Sequence, residues 1–231
     1  MAVAVAARGA ELPPPIEAAL VESLDLASLP VAAITYLRVQ LGVDPLSEAL
    51  AAPVMVARGA HAGPVVGIMS AVHGNELNGI PVLHRLFRAI DPSTLAGTIV
   101  GVPVVNVAGY ARYTRGFSDG VDLNRIMPGK KGGSASQQYA AAFVARILRP
   151  LDVVLDLHTA SFGRVNSHYV RADLNERATH RLALLQNSQV CRMCRDSVGG
   201  RLRSLCTVTA LHDRRMCTHL SHADCRPQLR P

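Results

Sequence analysis

Residues 64–79 constrain the fold of this chain most, because an apolar run, a polar cluster and an amphipathic run follow one another there. Residues 64–72 are mostly apolar, as expected of a buried parallel strand. Residues 77–90 place apolar side chains, including Leu83 and Phe87, at helical spacing. His73 and Glu76 therefore lie three residues apart, where a strand is predicted to end and a helix to begin.

The spacing of His73 and Glu76 can turn an imidazole nitrogen and a carboxylate oxygen toward one point. Zinc in hydrolases takes N and O ligands of this kind, typically three from the protein, and keeps one position open for water. A third ligand is then expected at the end of another strand, far downstream. His158 follows the apolar run 153–157 and fits that position.

The order of the predicted elements indicates the fold class. We predict strands at residues 31–39, 53–58, 64–72, 98–105, 151–157 and 168–172, and helices at residues 77–90, 135–148 and 175–189. This order predicts an α/β fold with a mixed, mostly parallel sheet flanked by helices. Sites in such sheets form outside the carboxyl ends of strands, where His73 and His158 are both expected.

Residues 106–135 form a long predicted loop, and long ordered loops are usually functional. The loop contains a polar set that suits binding, namely Asn106, Arg112, Arg115, Asp119, Asp122, Asn124 and Arg125.

Composition predicts three parts: a leader at residues 1–30, an α/β domain at residues 31–176, and an Arg/Cys-rich tail at residues 177–231. Residues 1–176 hold 14 Lys+Arg and 14 Asp+Glu, whereas the tail holds 10 Arg and 3 Asp and so accounts for the net charge of +7. All five cysteines also lie in the tail. We expect this tail to be irregular, with disorder as an alternative to folding.

The same sequence limits the choice of compartment and partners. No apolar run reaches the roughly 18 residues that a membrane helix needs, and the start is a poor signal peptide. We therefore expect a cytoplasmic protein without a membrane partner. The arginines of the tail favour nucleic acid by charge, but no aromatic residue follows Tyr169 to stack on bases, so no specific nucleic-acid binding is predicted. The oligomeric state is left open.

Four motifs in order carry a resemblance to a known family. They lie at residues 73–76 (His-Gly-Asn-Glu), 106–115, 122–125 (Asp-Leu-Asn-Arg) and 156–159 (Asp-Leu-His-Thr). Together they resemble the succinylglutamate desuccinylase/aspartoacylase family, part of the zinc carboxypeptidase-like group, over about residues 50–175. One such motif alone is weak evidence, but four in the same order are strong evidence.

The resemblance implies a zinc-dependent deacylase that cleaves the amide or ester bond of a small anionic N-acyl amino acid or related compound. It implies one zinc ion with three protein ligands, His73, Glu76 and His158. Arg115 is similar to the arginine that polarises the scissile carbonyl, and a guanidinium there would stabilise a developing oxyanion. Asn124 and Arg125 resemble the pair that holds a substrate carboxylate. In the alternative interpretation both arginines are structural and pair with Asp119 and Asp122.

The sequence departs from the family pattern at its later part. Family members carry a catalytic glutamate on a later strand in a Glu-x-Gly setting, but Glu176 is the last glutamate here and follows His158 by only 18 residues. We hypothesise that residues 177–231 are not the family's own C-terminal half and that activity is impaired. Two alternatives remain: a non-catalytic zinc- or ligand-binding remnant of the fold, and a metallocarboxypeptidase that acts on peptides.

Overall fold

A computed structural model describes residues 18–160, 167–188, 190–193 and 205–209. The strands within these residues are β1 (Ala19–Val21), β2 (Ala33–Val43), β3 (Ala49–Arg58), β4 (His61–Ser70), β5 (Ala96–Val102), β6 (Val153–His158), β7 (Tyr169–Ala172), β8 (Val190–Met193) and β9 (Leu205–Thr209). The helices are α1 (Gly79–Ala89), α2 (Val107–Ala111), α3 (Ala135–Phe143) and α4 (Arg177–Leu185). A 3-10 turn spans Leu123–Arg125, and a π-helical turn spans Val144–Leu148.

All the described strands join one sheet in the order β1-β2-β3-β5-β4-β6-β9-β7-β8. Strands β5, β4, β6 and β9 are consecutive parallel neighbours. Antiparallel pairs flank this centre, with β3 against β2 and β5 on one side and β7 against β9 on the other. The prediction of a mixed, mostly parallel sheet flanked by helices is confirmed.

Successive residues of a strand face opposite sides of the sheet, and β3 buries both sides. Val54 and Val56 belong to the main core, where Phe143 of α3 packs. Met55 and Ala57 belong to a separate cluster with two residues of α1, Leu83 and Phe87. Helices therefore cover both faces of the sheet, and this explains why the central strands carry near-continuous apolar runs.

The helix after the long loop begins as the sequence predicts. The hydroxyl of Ser134 accepts from the backbone N–H of Gln137, and the Gln137 side chain accepts from the Ser134 backbone, so the two residues form a capping box. Regular α-helix ends at Phe143, and the π-helical turn continues it to Leu148.

The carboxyl ends of β4, β5 and β6 meet at one edge of the sheet because the three strands are parallel neighbours. Backbone bonds from Val105 to Ser70 (3.0 Å) and from Asn106 to Ala71 (3.0 Å) join the loops that follow β4 and β5. Gly74 packs so closely against α2 that a Cβ there would lie 2.1 Å from the carbonyl carbon of Gly109. Only glycine allows this approach, which fixes the loop that carries His73.

The structure differs from the sequence prediction at both ends of the described chain. Ala19–Val21 pairs with β2, and Leu24 lies in the main core, although both fall in the predicted leader. Two short strands, β8 and β9, lie where we expected irregular chain, because they find partners in β7 and β6 that local sequence does not reveal. Residues 194–204 and 210–231 of the tail lie outside the described residues, and the predicted domain boundary at residue 176 remains a prediction.

Among the helices of the described residues, none combines the length and the apolarity needed to cross a membrane.

Candidate metal centre

The loop after β4 and the end of β6 bring three distant side chains together. His73 follows β4 by three residues, Glu76 lies just before α1, and His158 is the last residue of β6. All three are buried, with relative exposures of 2%, 3% and 8%. One ligand atom from each lies within 4.8 Å of the others, so the group is able to hold a metal ion.

The carboxylate of Glu76 lies between the two imidazole rings. Nδ1 of His73 is 2.9 Å from Oε1 of Glu76, and Nδ1 of His158 is 3.0 Å from Oε2. The ring centroids are 5.0 Å apart. Oε2 of Glu76 also accepts a hydrogen bond of 3.0 Å from the backbone N–H of Thr159, which ties the loop after β4 to the end of β6.

An aspartate contacts the Nε2 atom of each imidazole ring. Nε2 of His73 lies 3.0 Å from Oδ1 of Asp122, and Nε2 of His158 lies 2.7 Å from Oδ2 of Asp156. A carboxylate on one ring nitrogen fixes the tautomer and directs the other nitrogen outward, as in carboxylate–histidine–metal triads. Both Nδ1 atoms are thereby directed toward Glu76.

Burial and charge pairing shift the pKa values of His158 and Glu76 in opposite directions. Burial alone lowers the pKa of His158, but the Asp156 carboxylate and then Glu76 outweigh it and raise the pKa to about 10. Burial alone raises the pKa of Glu76, but hydrogen bonding to His158 and His73 outweighs it and holds the pKa well below its ordinary value. A divalent cation would compete with the proton on His158, so metal binding must release that proton.

The donor set fits a zinc ion. Two imidazole nitrogens and one carboxylate oxygen form the three-ligand set of catalytic zinc sites. Nδ1 of His73 is buried and makes no hydrogen bond with the described residues, although it lies 2.9 Å from Glu76. A buried nitrogen without a hydrogen bond costs free energy unless another partner satisfies it, and a metal ion is such a partner.

The predicted catalytic arginine lies beside this group. Nη1 of Arg115 donates to Oε1 of Glu76 at 3.0 Å, and its Nε and Nη2 donate to Oδ2 of Asp122 at 3.2 and 3.1 Å. Asn106 is buried at the start of α2 and contacts the Arg115 carbonyl through Nδ2 at 3.4 Å. The guanidinium of Arg115 thus contacts the candidate metal group. The Arg115 side chain is 44% exposed.

The predicted carboxylate-binding pair lies at the rim. Asn124 is exposed on the 3-10 turn, and the side chain of Arg125 is 82% exposed with Nε 3.5 Å from Oδ2 of Asp122. Asp119 contacts neither arginine among the described residues; it accepts from the backbone N–H groups of Val121 and Ser136. Among the described residues both arginines therefore pair with Asp122 and neither with Asp119, and the structural interpretation of their role stays a prediction.

The contact of Asp122 with His73 was not predicted; the sequence indicated Asp122 as a polar residue of the loop and as a partner for arginine. The available signal was its place at the start of the Asp-Leu-Asn-Arg motif. Glu176, considered as a poor substitute for a catalytic glutamate, caps α4 by accepting from Ala178 and Thr179. Its carboxylate has a structural role at that helix end.

The sheet and the buried His-Glu-His group define an α/β protein with a hydrolase-type candidate metal centre. The chain belongs to the succinylglutamate desuccinylase/aspartoacylase family, since the sequence model of that family's catalytic domain matches residues 62–200.

Individual relatives agree with this assignment. The N-alpha-acetyl-L-2,4-diaminobutyric acid deacetylase of Halomonas elongata is 35% identical over 99 residues, which cover 42% of this chain and 29% of the relative. The structure of a succinylglutamate desuccinylase/aspartoacylase from Rhodobacter sphaeroides is 26% identical at a TM-score of 0.65, covering 77% of this chain and 57% of that one. An aspartoacylase family protein from Mesorhizobium loti is 27% identical at a TM-score of 0.63, covering 79% and 62%. The chain thus spans less than two thirds of each of these proteins.

Proposed function

We propose that this chain binds one zinc ion and hydrolyses the amide or ester bond of a small N-acyl amino acid or related compound. The zinc ligands in this proposal are His73, Glu76 and His158. One observation carries it: the Nδ1 atoms of both histidines lie 2.9 and 3.0 Å from one buried carboxylate, while an aspartate holds each Nε2. This is the arrangement of a site built for a cation, because every ring is oriented toward the same point.

Zinc, when bound, would supply Lewis acidity and make a hydroxide nucleophile available near neutral pH. The remaining roles belong to the chain itself. The Arg115 guanidinium lies 3.0 Å from Glu76 and would stabilise an oxyanion on the acyl carbonyl. Arg125 and Asn124, both exposed at the rim, would hold a substrate carboxylate.

The relatives support a deacylase over other hydrolases. The Halomonas elongata protein is, by its name, a deacetylase of an N-acetylated amino acid, and it is 35% identical to this chain over 99 residues. An N-acyl amino acid offers one carbonyl to the metal group and one carboxylate to the rim arginine, which matches the two ends of the site.

A second candidate function is a zinc- or ligand-binding protein without turnover. The observation that favours it is the use of Glu176, the last glutamate of the chain, as a helix cap. Among the described residues, three carboxylates lie at the site, and each contacts a histidine ring: those of Glu76, Asp122 and Asp156. Loss of a general acid–base group costs roughly 100- to 10,000-fold in rate.

The test measures free amine released from a panel of N-acyl amino acids and from peptides by the full chain with zinc. We expect release from N-acyl amino acids that stops with a chelator, returns with zinc and is absent in His158→Ala. Cleavage of peptides alone would instead identify a metallocarboxypeptidase. Stoichiometric zinc binding without any turnover would identify the non-catalytic alternative.

A further inference from the structure

The carboxylate of Asp122 joins the metal group to the substrate-binding side of the site. Oδ1 lies 3.0 Å from Nε2 of His73 and also accepts from the backbone N–H of Asn124 at 3.0 Å. Oδ2 accepts from Nε and Nη2 of Arg115 at 3.2 and 3.1 Å, and Nε of Arg125 lies 3.5 Å away. The side chain is 17% exposed, so water screens these contacts only in part.

We propose that Asp122 is a positioning residue that couples metal binding at His73 to anion binding at Arg115 and Arg125. This inference rests on the proposed function. One oxygen fixes the ring of a proposed metal ligand, and the other fixes the guanidinium beside it. The same residue begins the 3-10 turn that carries Asn124 and Arg125. A disturbance of Asp122 therefore reaches both halves of the site at once.

The alternative role of Asp122 makes the opposite prediction. A carboxylate that merely neutralises the arginines competes with an anionic ligand, so removing its charge would strengthen anion binding. A carboxylate that holds the arginines in a binding geometry prepares the site, so removing its charge weakens anion binding. Asp122→Asn keeps the shape of the side chain and removes the charge, which separates the two roles.

The experiment compares wild type, Asp122→Asn and Asp119→Asn. Asp119 is the matched control because it lies in the same loop and its carboxylate contacts Val121 and Ser136 rather than a histidine or an arginine. The first readout is zinc affinity in chelator-buffered titrations. The second is succinate affinity of the metal-free protein. The third is the ¹⁵N shift pattern of the His73 ring, which reports its tautomer and which a merely structural role would leave unchanged.

For Asp122→Asn we expect a roughly 10- to 100-fold loss of zinc affinity, weaker succinate binding and a changed His73 tautomer signature, whereas Asp119→Asn stays within about twofold of wild type. Zinc affinity within about twofold of wild type, or tighter succinate binding, in folded Asp122→Asn overturns the proposal. A wild type that binds no zinc contradicts the proposed function instead. In that case the succinate titration and the His73 spectrum still decide whether Asp122 orders both sides of the site.

Discussion

Nδ1 of His158 lies 3.0 Å from Oε2 of Glu76, across 82 residues of sequence. The parallel pairing of β4 with β6 creates this contact, because it places the ends of both strands at one edge of the sheet. Each residue alone is an ordinary polar side chain at the end of a strand or loop. Their contact, with His73 on the other carboxylate oxygen, is what gives the molecule a candidate metal centre.

The charge pair behind His158 predicts how the stability of the metal-free protein depends on pH. Burial lowers the pKa of His158, but Asp156 and then Glu76 outweigh burial and raise the pKa from 6.5 to about 10. A raised pKa in the folded state means that the protonated ring stabilises the fold. This stabilisation is fully present below about pH 6.5 and is lost as pH rises through about 10. Urea unfolding with chelator present will therefore show stability falling over this range.

Asp156→Asn is the control for that measurement. The variant keeps a hydrogen-bonding partner for Nε2 but loses the charge, so its stability will decline less between pH 6.5 and pH 10. Equal declines in wild type and variant would show that the Asp156–His158 pair does not raise the pKa of the ring.

Lysine in place of Arg125 will weaken substrate binding. A guanidinium binds a carboxylate through two parallel bonds that an ammonium is unable to form. Calorimetric titration of metal-free Arg125→Lys with an N-acetyl amino acid should show an affinity about tenfold below wild type, or ~1.4 kcal/mol. Arg112→Lys is the matched control, because Arg112 is exposed in the same loop and bonds the Ala108 carbonyl. Equal affinities in all three proteins would remove Arg125 from the site.

The substitution Gly74→Ala will disturb the position of the proposed metal ligand His73, although Gly74 is not itself a ligand. Its Cβ would lie 2.1 Å from the carbonyl carbon of Gly109, and neither backbone is able to yield without moving the loop after β4. We expect zinc affinity to fall at least about tenfold in Gly74→Ala while the fold is retained. Gly132→Ala is the control, since no atom lies within 4 Å of a Cβ built there. Unchanged zinc binding in Gly74→Ala would mean that this close packing does not position His73.

A carboxyl group added at position 209 will increase turnover. Thr209 ends β9 and is the register partner of His158 on the neighbouring parallel strand, so position 209 lies at the same edge of the sheet. A glutamate there would add a carboxyl group able to act as a general acid–base, and such groups contribute roughly 100- to 10,000-fold. We expect Thr209→Glu to hydrolyse N-acyl amino acids at least about tenfold faster than Thr209→Gln, which has no exchangeable carboxyl proton. Equal rates would refute this placement.

The sequence predicted the parts of the site that depend on strand ends. The apolar runs before His73 and His158 indicated two buried strands, and parallel topology then required their ends to meet. It did not predict the contact of Asp122 with His73, because the two lie 49 residues apart and Asp122 sits in a loop without periodicity. Local sequence does not determine which carboxylate a loop brings to a ring.

The short strands at the end of the described chain were missed for a different reason. β8 has four residues and β9 has five, and neither has a clear alternation of apolar and polar residues. Their strand conformation follows from pairing with β7 and β6, which is a tertiary effect. The predicted helices and central strands carry their own periodic signal, and those elements agree with the structure to within a few residues.

Zinc content tests the central claim most directly. Purified wild type, His158→Ala and His84→Ala are dialysed with zinc and then against metal-free buffer, and bound zinc is counted by mass spectrometry. His84 is an exposed histidine on α1 and serves as the control. We predict that His158→Ala holds about one zinc ion fewer per chain than wild type, and that His84→Ala matches wild type. Equal zinc in wild type and His158→Ala would contradict the assignment of the buried His-Glu-His group as a metal centre.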